Sequence, residues 1–215
     1  MKMYQKFAAI AIAGLLPTLL DSCIPSLHPI YTPDKLILLN GLPGTWEADK
    51  GQTGQDANPK KPEIWTFKQG EDKKYLLIHQ DEDGYVAAFD VHVVRLGSHY
   101  FMDFYPGEMP RESAPISSGS MLGSLEQMNS FMKYQLLPVH IFAKVELSGQ
   151  LLKINMFDPE FLEKILERQQ IRIKHEKTEN GYLLTASPSD LQKFAEKYAE
   201  EKEAFLDDPI VLNLK

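Results

Sequence analysis

Tyr85-Val-Ala-Ala-Phe-Asp-Val-His-Val-Val-Arg95, then Leu96-Gly97-Ser98, then Tyr100-Phe-Met-Asp-Phe-Tyr105 is the stretch that decides the fold. Tyr85, Ala87, Phe89, Val91 and Val93 fall on every second residue. That period belongs to a strand with one buried face, not to a helix. Leu96-Gly97-Ser98 is a turn short enough to join antiparallel neighbours, so the stretch reads as a hairpin. The same grammar continues towards the amino terminus. Tyr75 to His79 is a strand, Asp81-Glu82-Asp83-Gly84 a turn, Ile64-Trp65-Thr66-Phe67 a strand, and Gly44-Thr45-Trp46-Glu47 opens another. Lys50 to Lys61 is polar and rich in glycine, and reads as a loop. Towards the carboxyl terminus, Pro106 to Gly123 breaks the pattern as a long loop, and Ser124 to Tyr134 reads as a short helix. Val139 to Leu147 then alternates again and Leu151 to Phe157 pairs back.

The last third adds helices. Asp158-Pro159-Glu160 places a capping carboxylate, a first-turn proline and an acid in the order a helix start requires, and predicts a helix near 159–169. Ser187-Pro188-Ser189-Asp190 repeats the plan for a helix near 188–204, with Leu191, Phe194, Ala195 and Tyr198 on one stripe. Between them, Ile171–His175 and Tyr182–Ala186 flank Asn180-Gly181, a hairpin signal. Ile210-Val211-Leu212 is expected to close the sheet. The expected fold is mainly β with added helices, an antiparallel barrel or a strongly curved sheet over residues 41–215.

Composition agrees with a globular chain and excludes several classes. Of 215 residues, 43% are hydrophobic and 25% charged, which leaves no room for a mainly disordered chain. There are 23 basic and 30 acidic residues, a formal charge of −7, so nothing favours nucleic acid as a partner. One cysteine excludes an internal disulfide framework and a multi-cysteine zinc site.

That cysteine lies where an amino-terminal address would be cut. Met1 to Lys6 carries two lysines, Phe7 to Leu16 is a short apolar run, and Leu20-Asp21-Ser22-Cys23 comes next. Residues 1–22 read as a secretory signal; the apolar run is shorter than the roughly 20 residues a membrane span needs. Residues 23–40 carry Pro25, Pro29 and Pro33 and read as a tether, with Leu36 to Leu39 docking on the β-rich domain or forming its first short strand.

Leu20-Asp21-Ser22-Cys23 resembles the lipobox of bacterial lipoproteins. The resemblance implies cleavage before Cys23, acylation of its thiol and, with Ile24 rather than Asp after it, an outer-membrane destination in a Gram-negative cell. Gly44-Thr45-Trp46 resembles the G-x-W signature of the lipocalins and their calycin relatives, whose tryptophan packs across the closed end of a barrel. Cys23, Gly44-Thr-Trp, Trp65-Thr-Phe, Leu96-Gly97, Phe101-Met-Asp103, Pro138-Val-His-Ile-Phe142 and Phe157-Asp158 together look like a group of bacterial envelope lipoproteins. Their function is not established, so that likeness implies anchor and fold alone.

Several constellations bear on chemistry. His92, His99, Asp103 and Glu108 are the densest set of nitrogen and oxygen donors, but their spacing matches no metal motif, and no metal or cofactor is expected. His140 stands between Val139 and Ile141, on one face with Phe142, as a general base, a pH switch or a hydrogen-bonded strand residue. Ser117 to Ser120 lacks the G-x-S-x-G frame, and no phosphate-cradling loop is present. Asp81, Glu82 and Asp83 read as a solvated turn, and Glu196, Glu200, Glu201 and Glu203 as a wet helix face.

The expected function is that of a lipid-anchored cell-envelope protein without catalysis. Its barrel would take up a small apolar or amphiphilic ligand, with Trp65, Phe89, Tyr100 and Phe104 lining the cavity. The alternatives are a structural protein with a filled barrel that contacts an envelope partner, and a hydrolase using His92, His99 or His140.

Overall fold

A computed structural model describes residues 23–49, 61–108, 136–179 and 181–215. The expected signal segment, all of the Lys50–Lys61 loop but Lys61, most of the Pro106–Gly123 loop, the helix expected over 124–134 and Asn180 lie outside the described residues.

Eight strands close an antiparallel barrel. In chain order they are β3 (Gly44–Ala48), β4 (Ile64–Gln69), β5 (Lys74–Gln80), β6 (Val86–Leu96), β7 (His99–Pro106), β8 (His140–Ser148), β9 (Leu151–Met156) and β12 (Ile210–Leu214). Each of the first seven pairs with its neighbour in sequence. β12 then lies between β9 and β3 and shuts the ring. Closure settles the choice between barrel and curved sheet, and it removes every strand edge within the ring. The architecture is lipocalin-like, with the two helices carried in the connection from β9 to β12.

Period-two alternation gives the barrel two faces. Inside lie Trp46, Trp65, Phe67, Tyr75, Leu77, Val91, Val93, Met102, Ala143, Val145, Leu152, Ile154 and Leu212, all buried. The opposite face of β6, β7 and β8 carries Val94, Leu96, Phe101 and Phe142, which join a second core beneath the helices. Phe157 is its hub, with ring centroids at 4.7 Å from Phe205, 5.2 Å from Phe194 and 5.6 Å from Phe142.

The helices start as the sequence predicts. α1 (Pro159–Glu167) has Asp158 accepting the Glu160 N–H at 2.8 Å, and α2 (Pro188–Lys197) has Ser187 accepting the Asp190 N–H. α2 ends sooner than expected, and a 3-10 turn comes after it at Lys202–Ala204. The Ala199 carbonyl accepts from the Lys144 ammonium of β8 at 2.9 Å, so it serves the barrel instead of a further helical turn. The late hairpin is also shifted: its strands are β10 (His175–Thr178) and β11 (Gly181–Leu184). Ile173, read as a strand residue, is buried in the outer core. No helix among the described residues is long and apolar enough to cross a membrane.

Residues 24–42, most of the expected tether, are laid against the barrel. β1 (Pro25–Ser26) bridges β8 and β11, and β2 (Leu36–Ile37) pairs with β6. Ile24 is 5% exposed, and Ile30 and Leu42 are fully buried. Ile24, just before the first proline, and Ile30, between the second and third, pin the segment down. Leu36–Leu39 docks as the sequence suggests, beneath the barrel floor, where the Leu39 N–H donates to the Tyr75 hydroxyl at 2.8 Å.

Candidate functional site

The two barrel ends differ because the connections differ. Tight turns at 70–73, 97–98 and 149–150 cluster at one end, which residues 39–42 cover. The connections 49–63, 81–85, 107–139 and 157–209 all leave from the other. Long connections at one end of a small barrel mark the usual entrance for a ligand.

At that end the interior changes character. Trp65 and His79 are directly opposed on β4 and β5, and alternation turns both inward with Glu63. The Glu63 Oε1 accepts from the Trp65 indole N–H at 2.8 Å and meets the His79 Nε2 at 2.8 Å. The His79 hydrogen bond holds the Glu63 carboxyl below its ordinary range; burial pushes the other way and the indole N–H supports the lowering. Glu63 is therefore an anion at neutral pH, set in an aromatic wall. The Trp65 ring lies edge-on to His79 at 4.8 Å and to Phe104 at 6.1 Å.

The four candidate lining residues share the interior face. Trp65 and Phe104 meet at the end of the long connections. Phe89 packs against the same interior core, half-buried. Tyr100 also faces in, but sits just after the 97–98 turn, at the opposite end of β7 from Phe104. Glu63 and His79 were not among the candidates. The signal for them was parity: His79 ends a strand already recognised and Glu63 directly precedes another, both on the inward phase.

The set His92, His99, Asp103 and Glu108 does not assemble. His99 Nε2 pairs with Glu200 on the surface at 2.9 Å, at the far end of β7 from Glu108. Among the described residues no group of three or more His, Cys, Asp or Glu side chains is placed to hold a metal ion. What does assemble lies on the outer face of β6, β7 and β8. Asp103, fully buried, accepts the Ile30 N–H at 2.9 Å on one oxygen and meets the His140 Nδ1 at 2.7 Å on the other. His92 opposes Asp103 across the ladder, and the Tyr31 ring stacks on His92 at 4.0 Å. Tyr105 covers the other side of His140 at 4.4 Å.

An aspartate that orients a histidine is half of a nucleophilic relay. The other half is a nucleophile; among the described residues Ser26, opposed to His140 on β1, is fully buried and its hydroxyl donates to the His28 carbonyl at 2.8 Å. Residues 24–32 cover the pair, so the arrangement fastens chain segments together.

Among the described residues, two grooves lie outside the barrel. One, of about 290 Å³, has Lys144, Asn155 and Phe205 in its wall; the other, of about 640 Å³, runs over Phe161 and Phe205. Both walls set carboxylates beside lysine, three lysines in the first and Lys164 alone in the second, and neither contains a candidate lining residue.

Comparisons with known proteins give no match, whether to a family model, a curated protein or a solved structure.

Proposed function

We propose that this chain is a lipid-anchored envelope protein whose barrel takes a small amphiphile at its open end. The observation that carries the reading is the Glu63–Trp65–His79 cluster on the interior face beside Phe104. An apolar wall with a few converging polar groups is the usual composition of a small-molecule site. The apolar body of the ligand would lie against Trp65, Phe89 and Phe104, and its polar head at the Glu63–His79 pair.

Mass spectrometry of protein purified gently from its native membrane tests the reading. The expected result is a small amphiphile that is released on denaturation. Trp65→Ala removes much of the apolar wall and is expected to reduce the retained amount by about tenfold, the equivalent of roughly 1.4 kcal/mol. Wild-type protein that carries nothing, and gains nothing from a lipid extract, would sink the binding reading. The alternative is then a filled barrel that serves as a structural element of the envelope. The complete burial of Trp46, Tyr75, Val91 and Met102 inside the ring speaks for that alternative.

The anchor has its own test. Cys23 is half-buried and directly precedes the docked segment. Its sulfur would carry the acyl chains, each buried methylene contributing about 0.8 kcal/mol to membrane binding. Cys23→Ser is expected to move the protein from the membrane to the soluble fraction and to abolish acyl labelling. Unchanged fractionation would refute the anchor and leave the barrel reading intact.

A further inference from the structure

We propose that residues 24–32 form a pH-sensitive strap, closed on the barrel at neutral pH and opened more often in acid, with His92 as the residue that takes up the proton.

The strap is held by few bonds, and these converge on titratable groups. Its two-residue strand β1 joins β8 on one side and β11 on the other. The Leu27 N–H donates to the Leu184 carbonyl at 2.8 Å, and the Ile30 N–H donates to the Asp103 carboxylate at 2.9 Å. Gln192 of α2 donates to the Ile30 carbonyl at 2.9 Å. Tyr31 then lies flat on His92 and edge-on to His140, 6.3 Å away. By contrast, β6 and β7 are tied by an eight-pair ladder. Segments with short ladders open locally long before the body unfolds.

His92 is the weak point under this cover. Its Nδ1 is sealed from solvent and meets no hydrogen-bond partner. A buried polar atom of this kind is tolerated while the ring is neutral and becomes costly once it carries a proton that needs a partner or water. Lifting Tyr31 supplies the water.

The charges around His92 come from every strand packed beside it. Burial lowers its proton affinity from the ordinary 6.5, Asp103 and Asp90 partly offset this, and Lys74 of β5 and His140 of β8 add to it. Tyr31 and Tyr105 also face the cluster, and burial, with Asp103, Asp90 and Tyr105, pushes the Tyr31 phenol upwards, so it stays neutral. The closed strap holds His92 neutral, whereas the open strap exposes a ring of ordinary affinity. Closure is therefore fully favoured above about pH 6.5 and weakens as the pH falls towards the lowered value of the closed state. Each unit of lowering gives about a tenfold rise in the opening equilibrium.

Amide hydrogen exchange on the full chain, corrected for the intrinsic pH dependence of exchange, reads the opening directly. The Leu27 and Ile30 amides are expected to lose about tenfold in protection between roughly pH 7.5 and 5. Amides of the β6–β7 ladder should hold theirs. His92→Phe keeps a ring for Tyr31 to stack on but takes no proton, so its strap protection should not change with pH. The same acid response in His92→Phe would overturn the proposal, as would equal losses in strap and barrel. If His92→Phe does not fold, the wild-type His92 ring can be titrated by nuclear magnetic resonance. A midpoint below 6.5 that tracks strap opening supports the proposal; an ordinary midpoint, or one that does not track opening, refutes it. None of these readouts depends on the lipid anchor or on a ligand.

Discussion

Trp46→Ala is expected to lower the unfolding free energy by about 3–5 kcal/mol, the range for removing a large aromatic from a packed interior. Trp46 is fully buried, and its indole N–H donates to the Leu42 carbonyl at 2.9 Å. Its neighbours across the ladder are Trp65 on β4 and Leu214 on β12, so it stands where the last strand closes the ring. Truncation opens a cavity at the barrel floor and leaves the Leu42 carbonyl without its donor. Trp46→Phe keeps most of the volume and loses the hydrogen bond, and should cost nearer 1 kcal/mol. Urea unfolding followed by Trp65, the one tryptophan left of two, measures both. A loss below about 1.5 kcal/mol for the alanine variant would contradict the closing role.

The glycine of the same motif is fixed by the same closure. Gly44 has φ +148°, and a Cβ there would meet the Leu214 Cδ1 at 2.8 Å. The three-residue signature is thus the local record of a long-range event: the carboxyl-terminal strand packs over the first. That is why a motif so short carries information about the whole barrel.

Other elements were legible for equally local reasons. The strand Val86–Leu96 shows its inward face by alternation through Phe89, Val91 and Val93, and both helix starts are written in capping residues. The strap was not legible, because Ile24 and Ile30 are too sparse to form a period and three prolines imitate a spacer. The late hairpin slipped because Ile171 and Ile173 have strand-forming side chains, yet the body of the ladder begins only at His175. Within the site, Trp65 and Phe104 could be placed on one face from parity alone. Their contact could not, since it depends on how the strands stagger around the ring. The same holds for His99 and Glu200, which meet across 101 positions of chain.

Asp103→Ala is expected to cost about 2–6 kcal/mol, about 1–3 kcal/mol for each of the two buried hydrogen-bond partners it leaves unsatisfied. Asp103 has no exposed surface, and its two oxygens serve different elements: the strap through the Ile30 N–H, and β8 through His140. Alanine strands both donors in a site sealed by Tyr31, Tyr105 and the strap itself. Asp103→Asn keeps the shape but turns an NH2 group towards one of the two donors, so about 1–3 kcal/mol is expected, the cost of one unsatisfied buried group. His140→Phe in the Asp103→Ala background removes the stranded imidazole. The double variant should therefore be more stable than the sum of the two single losses by more than about 1 kcal/mol, as coupled neighbours require. Urea unfolding of the four proteins gives the cycle. Additive losses, or a cost below about 1.5 kcal/mol for Asp103→Ala, would mean that the pair does not fasten the outer face. The Ile30 amide provides the local readout. Its protection should collapse in Asp103→Ala at every pH, whereas in His92→Phe it should persist in acid. The carboxylate holds the strap whenever it is closed, and His92 sets how its opening responds to protons.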